Sequence, residues 1–475
     1  MLGVQLAELL DGGPPGVGEA LGLVAGLDDG LVHGVARLGE GHARAFAALA
    51  DALVATPLGA PVGEAVEKLA AGSVADTQLT MLAGGRAALL GAVHDALLAR
   101  LDAALGRRRA PWERPPAPLP ATPPPAADNL LSGCRSWLHE LAITGWRGVD
   151  HDLVSASAQT LQALLAEPGL RRLAILLDGL AAELRASCPV GTMPRLPARR
   201  WADLWARAVL LSQAGGWPGG PRQRRPVSGR LLVLGVDVHE HPTAVQIQVH
   251  GVLEPTGGAP ARLVRASVAA AKVATIVGPA LWQLLRRYPV LLGALAEHRS
   301  LDVTDLPLLD SGDLVWQDDQ ARLGAPVDPF ATARVQLATA LAPPVPPLDR
   351  HPVRIAEPVL VEGYSTVAAD GGAAVTLELG GNILAVDLDR LPTCGPLTPE
   401  LVAASSACVG LLRWDGGGWR LQPLAVQATV RRRPVVVHNG DWALGPTDPK
   451  VVKAEAKAGD TVAVLRERAG RLLRR

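Results

Sequence analysis

The stretch RLLVLGVDVHEHPTAVQIQVH, residues 230–250, marks a change in the apolar rhythm of the chain. Apolar residues occupy every second position here, first at Leu232, Leu234, Val236 and Val238 and then at Val245, Ile247 and Val249. Because successive side chains of a strand point to opposite faces of its sheet, this period of two predicts two strands. A turn within residues 240–243 would join them as a hairpin, so a strand-rich half of the chain is predicted to begin here.

Before this stretch the apolar residues follow a helical period. They recur three or four positions apart along two segments, at Leu90, Val93, Leu97, Leu101 and Leu105 and again at Leu170, Leu173, Leu177, Leu180 and Leu184. Such stripes are typical of helices that bury one face. We therefore predict helical domains over residues 1–109 and 128–214, joined by a proline-rich linker over residues 110–127.

After this stretch, strands are predicted on both sides of a second proline-rich break. We predict a mixed α/β domain over residues 228–342, with a helix near residues 279–298, and a strand-rich domain with a C-terminal helix over residues 348–475. Turn signals at residues 380–382 and 415–418 predict two further hairpins. The two strand-rich domains do not align residue by residue, so no internal repeat is predicted. The predicted class is α+β: N-terminal helical bundle segments followed by a strand-rich C-terminal half of β-hairpins with a few packed helices.

The charge balance disfavours an electrostatic nucleic-acid binder. Lysine plus arginine (46) equals aspartate plus glutamate (46), so the basic excess expected of such a protein is missing. Short arginine clusters at residues 222–225 and 431–433 keep nucleic-acid binding open as an alternative, although such short runs are typical of solvated surfaces. The abundance of alanine, glycine and proline, with arginine in place of lysine, is typical of GC-rich bacteria such as actinobacteria.

Cysteine usage and apolar segments predict a soluble cytoplasmic protein. The four cysteines lie far apart, which favours reduced thiols, at Cys134, Cys188, Cys394 and Cys408. The first basic residue is Arg37, so the basic start of a secretory leader is not seen. The apolar run at residues 273–285 is shorter than the about 20 residues that a membrane span needs.

One candidate metal site lies in the predicted hairpin. Asp237, His239 and His241 share one face of a strand, and carboxylate and imidazole groups are ligands of zinc and other divalent metals. If the turn is centred on His241 and the proline after it, His239 lies opposite Ala244. His250 then lies about 20 Å further along its strand, at about 3.3 Å per residue, and cannot complete the site. A solvated hairpin tip is therefore the alternative, and no cofactor is expected.

Other candidate groups are pairs of acids. Asp318 and Asp319, and Asp387 and Asp389, could bind magnesium or act as acid and base, but they flank no glycine-rich loop or basic cluster. The sequence patterns of P-loop ATPases, of α/β-hydrolases and of HExxH metalloproteases do not occur. A catalytic triad assembled from distant positions stays open as a possibility.

Tryptophans are the main aromatic residues and offer a different signal. Trp201 and Trp205 lie on one side of a predicted helix, where core packing is favoured. Trp414 and Trp419 flank a predicted hairpin turn and are candidates for contact with a protein partner, because tryptophan is enriched in interface hot spots. Packing in the core is the alternative for this second pair.

The segment RRWADLW, residues 199–205, resembles a group of uncharacterised actinobacterial proteins. Those proteins are encoded beside SWIM zinc-finger proteins, MoxR-type AAA+ ATPases and von Willebrand factor A proteins. The resemblance covers this short helix and the general layout of helices followed by strands. It implies a non-catalytic partner of an ATPase–adaptor system and provides no catalytic residues. The chain lacks the Cys-x-Cys…Cys-x-His pattern, so it is not itself the SWIM protein.

These observations favour a non-catalytic interaction or scaffold component of a cytoplasmic multiprotein system. A MoxR-type AAA+ ATPase is the partner that the resemblance implies. The first alternative is a hydrolase or metalloenzyme with a site near Asp237 and His239 in the C-terminal half. The second alternative is a nucleic-acid binder that uses the short arginine clusters.

Overall fold

The computed structural model describes residues 1–113, 125–213, 224–369 and 374–458. Helices fill the first two ranges and strands dominate the other two, so the predicted α+β class is confirmed. The helical half contains α1 Gly3–Leu10, α2 Val17–His33, α3 Glu40–Asp51, α4 Gly59–Ala70, α5 Asp76–Ala104, α6 Pro125–Thr144, α7 His151–Ser155, α8 Ala158–Ala166, α9 Arg171–Ser187 and α10 Ala198–Leu211.

The helical segments on either side of the predicted linker form one body. Their buried side chains make a continuous core that runs from Val24 in α2 to Leu210 in α10. Trp201 and Trp205 of α10 are at most 1% exposed in this core, as predicted. The indole Nε1 of Trp205 donates a hydrogen bond to the backbone oxygen of Leu138 in α6, at 2.9 Å. The two segments therefore pack against each other rather than as separate bundles.

A close approach of two glycines links these segments. Gly34 follows α2 with φ of 87°, and Gly145 follows α6 with φ of 71°. A Cβ on Gly145 would lie 2.3 Å from the backbone nitrogen of Gly34. Nearby, the N–H of Val35 donates to the carbonyl of Ala142 at 2.9 Å. Because backbone meets backbone here, neither glycine has room for a side chain.

We expect Gly145→Ala to lower the free energy of unfolding by about 1–3 kcal/mol, because its backbone conformation is nearly restricted to glycine. Gly63→Ala is the matched control, since Gly63 lies inside α4 with open space beside its Cα. The control should be neutral or stabilising by up to about 1 kcal/mol. Urea denaturation followed by circular dichroism measures both, and equal effects would contradict the proposed role of the contact.

The strand-rich half contains two sheets. The elements of the first are β1 Arg224–His241, β2 Ala244–Pro255, β3 Arg262–Ala271, α11 Leu281–Leu284, α12 Pro289–Ala296, β4 Arg299–Leu309, β5 Asp313–Leu314, β6 Ala321–Pro326 and α13 Pro329–Gln336. The long β1 pairs with β4 through its first half and with β2 through its second half. β3 lies parallel to β5, and β5 pairs antiparallel with β4. The order β1-β2-β3-β5-β4-β1 closes a five-stranded barrel, with β6 added beside β4.

The second sheet is also a closed arrangement. Its elements are β7 Ala356–Glu362, β8 Ser365–Ala369, β9 Ala374–Leu379, β10 Asn382–Val386, α14 Pro399–Ala403, β11 Ser405–Asp415, β12 Gly418–Val430 and β13 Arg433–His438, and α15 Pro449–Ala458 follows. Only Gly363 and Tyr364 separate β7, which pairs with β11, from β8, which pairs with β9. β9 pairs with β10, β10 lies parallel to β12, and β12 pairs with β11. With β7 and β8 taken as one bent strand, the five strands form a ring, and β13 pairs with β12.

The two barrels share one topology. In each, the first strand bridges the second and the fourth, and the third lies parallel to the fifth. In each, helix lies between the third and fourth strands, as α11 and α12 or as α14. This arrangement corresponds to the OB-fold, a five-stranded Greek-key barrel. The expectation of no internal repeat is therefore wrong at the level of structure, because the duplicated feature is strand order rather than residue sequence.

The β1–β2 hairpin differs in register from the predicted one. A two-residue turn places His239 opposite Gln246 rather than opposite Ala244. Because the strands are shifted by two residues, each side chain keeps its predicted face. His250 now lies only two residues from the partner of Asp237, so the separation inferred from the sequence is too long.

Other predicted boundaries shift by a few residues. The helix predicted near residues 279–298 is two short helices, α11 and α12, and Pro289 occupies the first position of the second. Residues 125–127, predicted as linker, belong to α6. Most of the predicted linker and the C-terminal helix predicted from Thr461 onwards lie outside the described residues.

The two barrels pack against each other with α13 between them. Leu232 and Leu234 on the outer face of β1 form a shared apolar cluster with Phe330 of α13. Leu360 of β7 and Val409 of β11 complete this cluster from the second barrel. The outer faces of both barrels are therefore partly buried, which explains why β1 is apolar on both faces.

The long helix α5 connects the helical body to the second barrel. Within the described ranges it is the one helix with the length and apolar composition of a membrane span, but 61% of its most apolar window is buried inside the protein. Leu82 and Leu90 lie in the helical core, whereas Leu97 and Leu101 pack against the second barrel. α5 is thus a core helix of this fold.

Candidate functional site

A cleft of about 820 Å³ opens where the helical body and the two barrels meet. Helices α9 and α10 form one wall, and the outer face of β2 and β3 forms another. The second barrel contributes residues of β7 and β11, and the connector at residues 343–355 completes the lining. Because three bodies contribute to it, the cleft exists only in the folded whole.

The first barrel presents to this cleft the surface that OB-folds use for ligands. Such barrels bind ligands on the second and third strands and on the loops after the first and fourth strands. Gln248 on β2, Arg265 on β3 and Ser311 in the β4–β5 loop all line the cleft. These side chains face outward because their neighbours Val249 and Ala266 fill the barrel interior. The cleft therefore lies over the ligand-binding surface of the barrel.

Arginines dominate the charged lining of the cleft. Eight guanidinium groups and five carboxylates line it, which is a surplus of three positive charges. The arginines are Arg109, Arg172, Arg200, Arg207, Arg265, Arg354, Arg390 and Arg413. The acids are Glu183, Asp203, Asp313, Asp349 and Glu357. A concave surface with this surplus favours an anionic ligand.

Several of these arginines are exposed enough to bind a ligand. The side chain of Arg200 is 65% exposed, and its Nε lies 2.9 Å from both carboxylate oxygens of Glu183. The side chains of Arg354 and Arg172 are 51% and 45% exposed, and both lie beside Asp349, at 3.5 Å and 3.0 Å. Exposed pairs of this kind contribute little to stability, so an incoming carboxylate can replace the protein's own partner at low cost.

Aliphatic side chains lie among these arginines. Ile175 is 67% exposed and Val353 is 45% exposed, and both line the cleft beside Leu176 and Leu204. The described lining contains no phenylalanine, tyrosine or tryptophan, although single-stranded nucleic acids are bound by stacking on such rings. The lining therefore suits a ligand with both carboxylate and aliphatic groups.

The structure brings Asp237 and His239 together and makes Asp237 a charge partner between the barrels. Its carboxylate, in a residue 2% exposed, accepts hydrogen bonds from Nη2 of Arg413 (2.8 Å) and Nε2 of Gln422 (2.7 Å) in the second barrel. Nε2 of His239 lies 3.0 Å from Asp237 Oδ2. Although burial alone would raise it, the hydrogen bond and charge of His239 and the charge of Arg413 lower the pKa of Asp237. Both carboxylate oxygens are therefore engaged in an ionised, structural contact.

His241, the third predicted ligand, lies apart from this contact. It is exposed at the hairpin tip, where its Nδ1 lies 2.9 Å from the hydroxyl of Thr243. The ligand atoms of the three predicted residues do not gather within 4.8 Å of one another. The arrangement gives no support to a metal ion at this hairpin.

His250 is buried on the outer face of β2. It is 1% exposed, its Nε2 has no hydrogen-bond partner among the described residues, and burial lowers its pKa to about 3. It shares one row across the sheet with Gly235 on β1, Arg265 on β3 and Asp313 on β5. This row ends at the wall of the cleft, so a neutral histidine lies behind the Arg265–Asp313 ion pair.

Trp414 and Trp419 pack against each other in the core of the second barrel. They are 9% and 7% exposed, and their ring centroids lie 5.3 Å apart in an edge-to-face arrangement. They lie directly opposite each other on β11 and β12, with their rings in the barrel interior. This placement corrects the suggestion of a partner-facing pair, because little of either indole can be reached by a partner.

The acidic pairs noted in the sequence have structural partners. The carboxylate of Asp318 accepts hydrogen bonds from the backbone N–H groups of Val290 and Leu291, at 2.9 and 3.2 Å, at the start of α12. Asp387 accepts a hydrogen bond from Nε of Arg390 at 2.8 Å. Both acids therefore fix local structure.

The buried thiols are poor nucleophiles. Burial raises the pKa of Cys134 and of Cys394 to about 12, and it raises the pKa of Cys408 further still. Cys188, which is less buried, also has a raised pKa because of burial and the charge of Asp150. Since the thiolate is the reactive form, these four positions favour structural rather than catalytic roles.

The arginine clusters lie away from the cleft. Residues 222–223 are outside the described residues, and Arg224 and Arg225 begin β1 at an exposed edge. Arg431 and Arg432 form the exposed turn between β12 and β13 with φ of 50° and 63°. None of these described arginines lines the cleft.

The segment RRWADLW joins the helical body to the connector between the barrels. Its Asp203 lies 3.5 Å from Nη1 of Arg86, which is 1% exposed and donates from Nε to Asp28 at 2.7 Å. Asp203 also lies 3.4 Å from Nε2 of His351 in the connector. Asp203 therefore contributes to a largely buried network that holds the connector on α10.

A scan against protein-family models found no match, and searches of the curated proteins and of the solved structures found none either. The cleft has to be interpreted from its own chemistry. Sequence reasoning missed it, because most of its arginines occur singly along the chain, as with Arg207, Arg265 and Arg354. Among them, Arg109 alone lies in a run of three consecutive arginines, at residues 107–109.

Proposed function

We propose that this protein is a non-catalytic binding protein that holds an acidic, aliphatic segment of a protein partner in the central cleft. The observation that carries this proposal is the arginine surplus over the ligand-binding surface of the first barrel. Carboxylates of the partner would pair with exposed guanidinium groups such as those of Arg200 and Arg354, which can bind in a bidentate manner. Aliphatic side chains of the partner would pack on Ile175 and Val353.

We further propose that the partner belongs to a cytoplasmic AAA+ ATPase system of the MoxR type. The support is the resemblance carried by residues 199–205. In the fold, these residues lie on α10, which forms one wall of the cleft. A partner bound in the cleft would therefore contact the helix that carries the resemblance.

Single-stranded nucleic acid is a second candidate ligand. The tandem OB topology favours it, because such barrels bind oligonucleotides on the surface that faces the cleft. The described lining has aliphatic side chains but no aromatic rings on which bases could stack, and this favours the peptide. The two candidates are distinguished by the experiment below.

The test is a fluorescence anisotropy titration with two short labelled probes of matched charge. One is a peptide of aspartate, glutamate and leucine, and the other is oligothymidylate. We expect the peptide to bind more tightly, and we expect Arg200→Ala with Arg354→Ala to weaken its binding by at least about tenfold. Binding should also weaken as the salt concentration rises.

Arg334→Ala is the matched control, because Arg334 is 52% exposed and is paired with Glu362 outside the cleft. It should leave peptide binding unchanged. Tighter binding of oligothymidylate that is lost in the double variant would replace the peptide with nucleic acid. Binding of neither probe, or equal binding by wild type and double variant, would refute the cleft as the site.

A further inference from the structure

Two histidines and an aspartate come together on the surface of the helical body, away from the cleft. Asp29 and His33 lie one turn apart on α2, and His42 lies near the start of α3. One potential ligand atom from each lies within 4.8 Å of the other two. Nε2 of His42 is 3.0 Å from Oδ2 of Asp29, and the two imidazole rings stack with centroids 5.0 Å apart. The short α2–α3 connection thus places three metal-binding side chains together.

A side-chain hydrogen bond orients His33 as a metal ligand. Its Nδ1 lies 3.0 Å from the backbone carbonyl oxygen of Asp29. A carbonyl can only accept, so Nδ1 carries the proton and Nε2 carries a free lone pair. A hydrogen bond from the second ring nitrogen to a backbone carbonyl is the arrangement that orients metal-binding histidines.

We propose that Asp29, His33 and His42 form a binding site for a divalent transition metal ion. Zinc suits this set, since imidazole nitrogen and carboxylate oxygen are among its preferred ligands. A tetrahedral zinc ion with ligands about 2 Å away holds its donors about 3.3 Å apart. The Asp29–His42 separation of 3.0 Å is close to that value, and a ligand atom of the exposed His33 lies within 4.8 Å of both.

Three protein ligands leave one position of a tetrahedral ion open. The side chain of Asp29 is 62% exposed and that of His42 is 26% exposed, so the open position faces solvent. Bound zinc would fasten α2 to α3 and could accept a further ligand from water or from another molecule. This site is separate from the cleft and does not depend on the function proposed for it.

Isothermal titration of the untagged, chelator-treated full chain with zinc chloride tests the site. We expect one equivalent of zinc to bind, and we expect His33→Ala and His42→Ala each to weaken binding by more than about tenfold. Magnesium should not bind, because it prefers oxygen ligands. As an independent readout, zinc should raise the melting temperature of the wild type but not that of a variant carrying both His33→Ala and His42→Ala.

His139→Ala is the matched control. His139 is a partly exposed histidine whose Nδ1 lies 2.8 Å from Asp76, and it belongs to no such three-residue group among the described residues. Its replacement should leave zinc binding unchanged. Failure of the wild type to bind one equivalent, or unchanged affinity in both His33→Ala and His42→Ala, would overturn the proposal.

Discussion

Replacing Arg413 with alanine is expected to lower the free energy of unfolding by about 3–5 kcal/mol, because the buried carboxylate of Asp237 loses its guanidinium partner and keeps only the half-exposed imidazole of His239 beside it. The two residues belong to different barrels and are 7% and 2% exposed. They are in contact at 2.8 Å. The side chain of Gln422 accepts a hydrogen bond from Arg413 and donates one to Asp237. Chemical denaturation of the full chain measures the loss.

Two comparisons distinguish the effect of losing this ion pair from the effect of general damage to the sheet. Arg413→Met combined with Asp237→Leu removes both charges and should recover most of the stability, since no uncompensated charge remains. Arg390→Ala removes a side chain that is 38% exposed and paired with Asp387, and it should cost less than about 1 kcal/mol. A double variant as unstable as Arg413→Ala would show that the buried charge is not the cause.

Lowering the pH from 7 to 5 is expected to destabilise the fold by on the order of 6 kcal/mol, about 2 kcal/mol for each of three buried histidines. Burial lowers the pKa of His250 to about 3 and those of His351 and His438 to about 4. Unfolded histidine titrates near about pH 6.5, so between about pH 6.5 and 4 the unfolded chain binds more protons. Stability is therefore complete above that range and falls with falling pH.

The three histidines lie where the bodies meet, so acid should loosen these junctions first. His250 lies near the charges of Arg265 and Asp237, and His351 lies near those of Asp203 and Arg207. His438 of the second barrel packs against His298 of the first, with ring centroids 4.2 Å apart and the ring planes tilted by 49°.

Protonation of His298 changes the stability in the opposite direction. Its hydrogen bond to Asp441 raises its pKa, so its contribution is complete below about pH 6.5 and is lost as the pH rises through the raised value. It therefore offsets part of the loss caused by the other three.

Single glutamine replacements identify the groups responsible. His438→Gln removes one titration, so the slope of unfolding free energy against pH should fall by about 1.4 kcal/mol per pH unit between about pH 6 and 4.5. His241→Gln is the matched control for the substitution itself, because His241 is exposed at the hairpin tip. A wild-type stability that stays constant from pH 7 to 5 would contradict the prediction.

Local features of the fold followed from the sequence wherever neighbouring residues sufficed to determine them. The change of period near Arg230 marks the boundary between helical and strand-rich halves, and the hairpins around residues 380–381 and 416–417 occur as predicted. Glycines at these turns adopt positive φ, which is why the turn signals were reliable. The β1–β2 register was missed because the turn lacked such a glycine pair.

Contacts between distant residues were not predictable in this way. Asp237 was assigned to a metal because its neighbours in sequence are histidines, whereas its partners, Arg413 and Gln422, lie more than a hundred residues away. The sequence did not show whether Trp414 and Trp419 lie in the core or at an interface. That depended on which face of β11 and β12 points into the barrel. The cleft was missed for the same reason, because its charges converge only after three bodies have packed.

The sequence by itself determined the secondary-structure class and the order of helical and strand-rich parts, because side-chain periodicity and turn residues act over a few neighbouring positions. Only the tertiary structure decided that the strands close into two barrels of one topology. It also decided that arginines from distant parts of the chain come together over the first barrel. Strand order and the clustering of charged side chains depend on contacts between residues far apart in the sequence. A pattern among neighbouring residues does not specify which distant residue each one will contact.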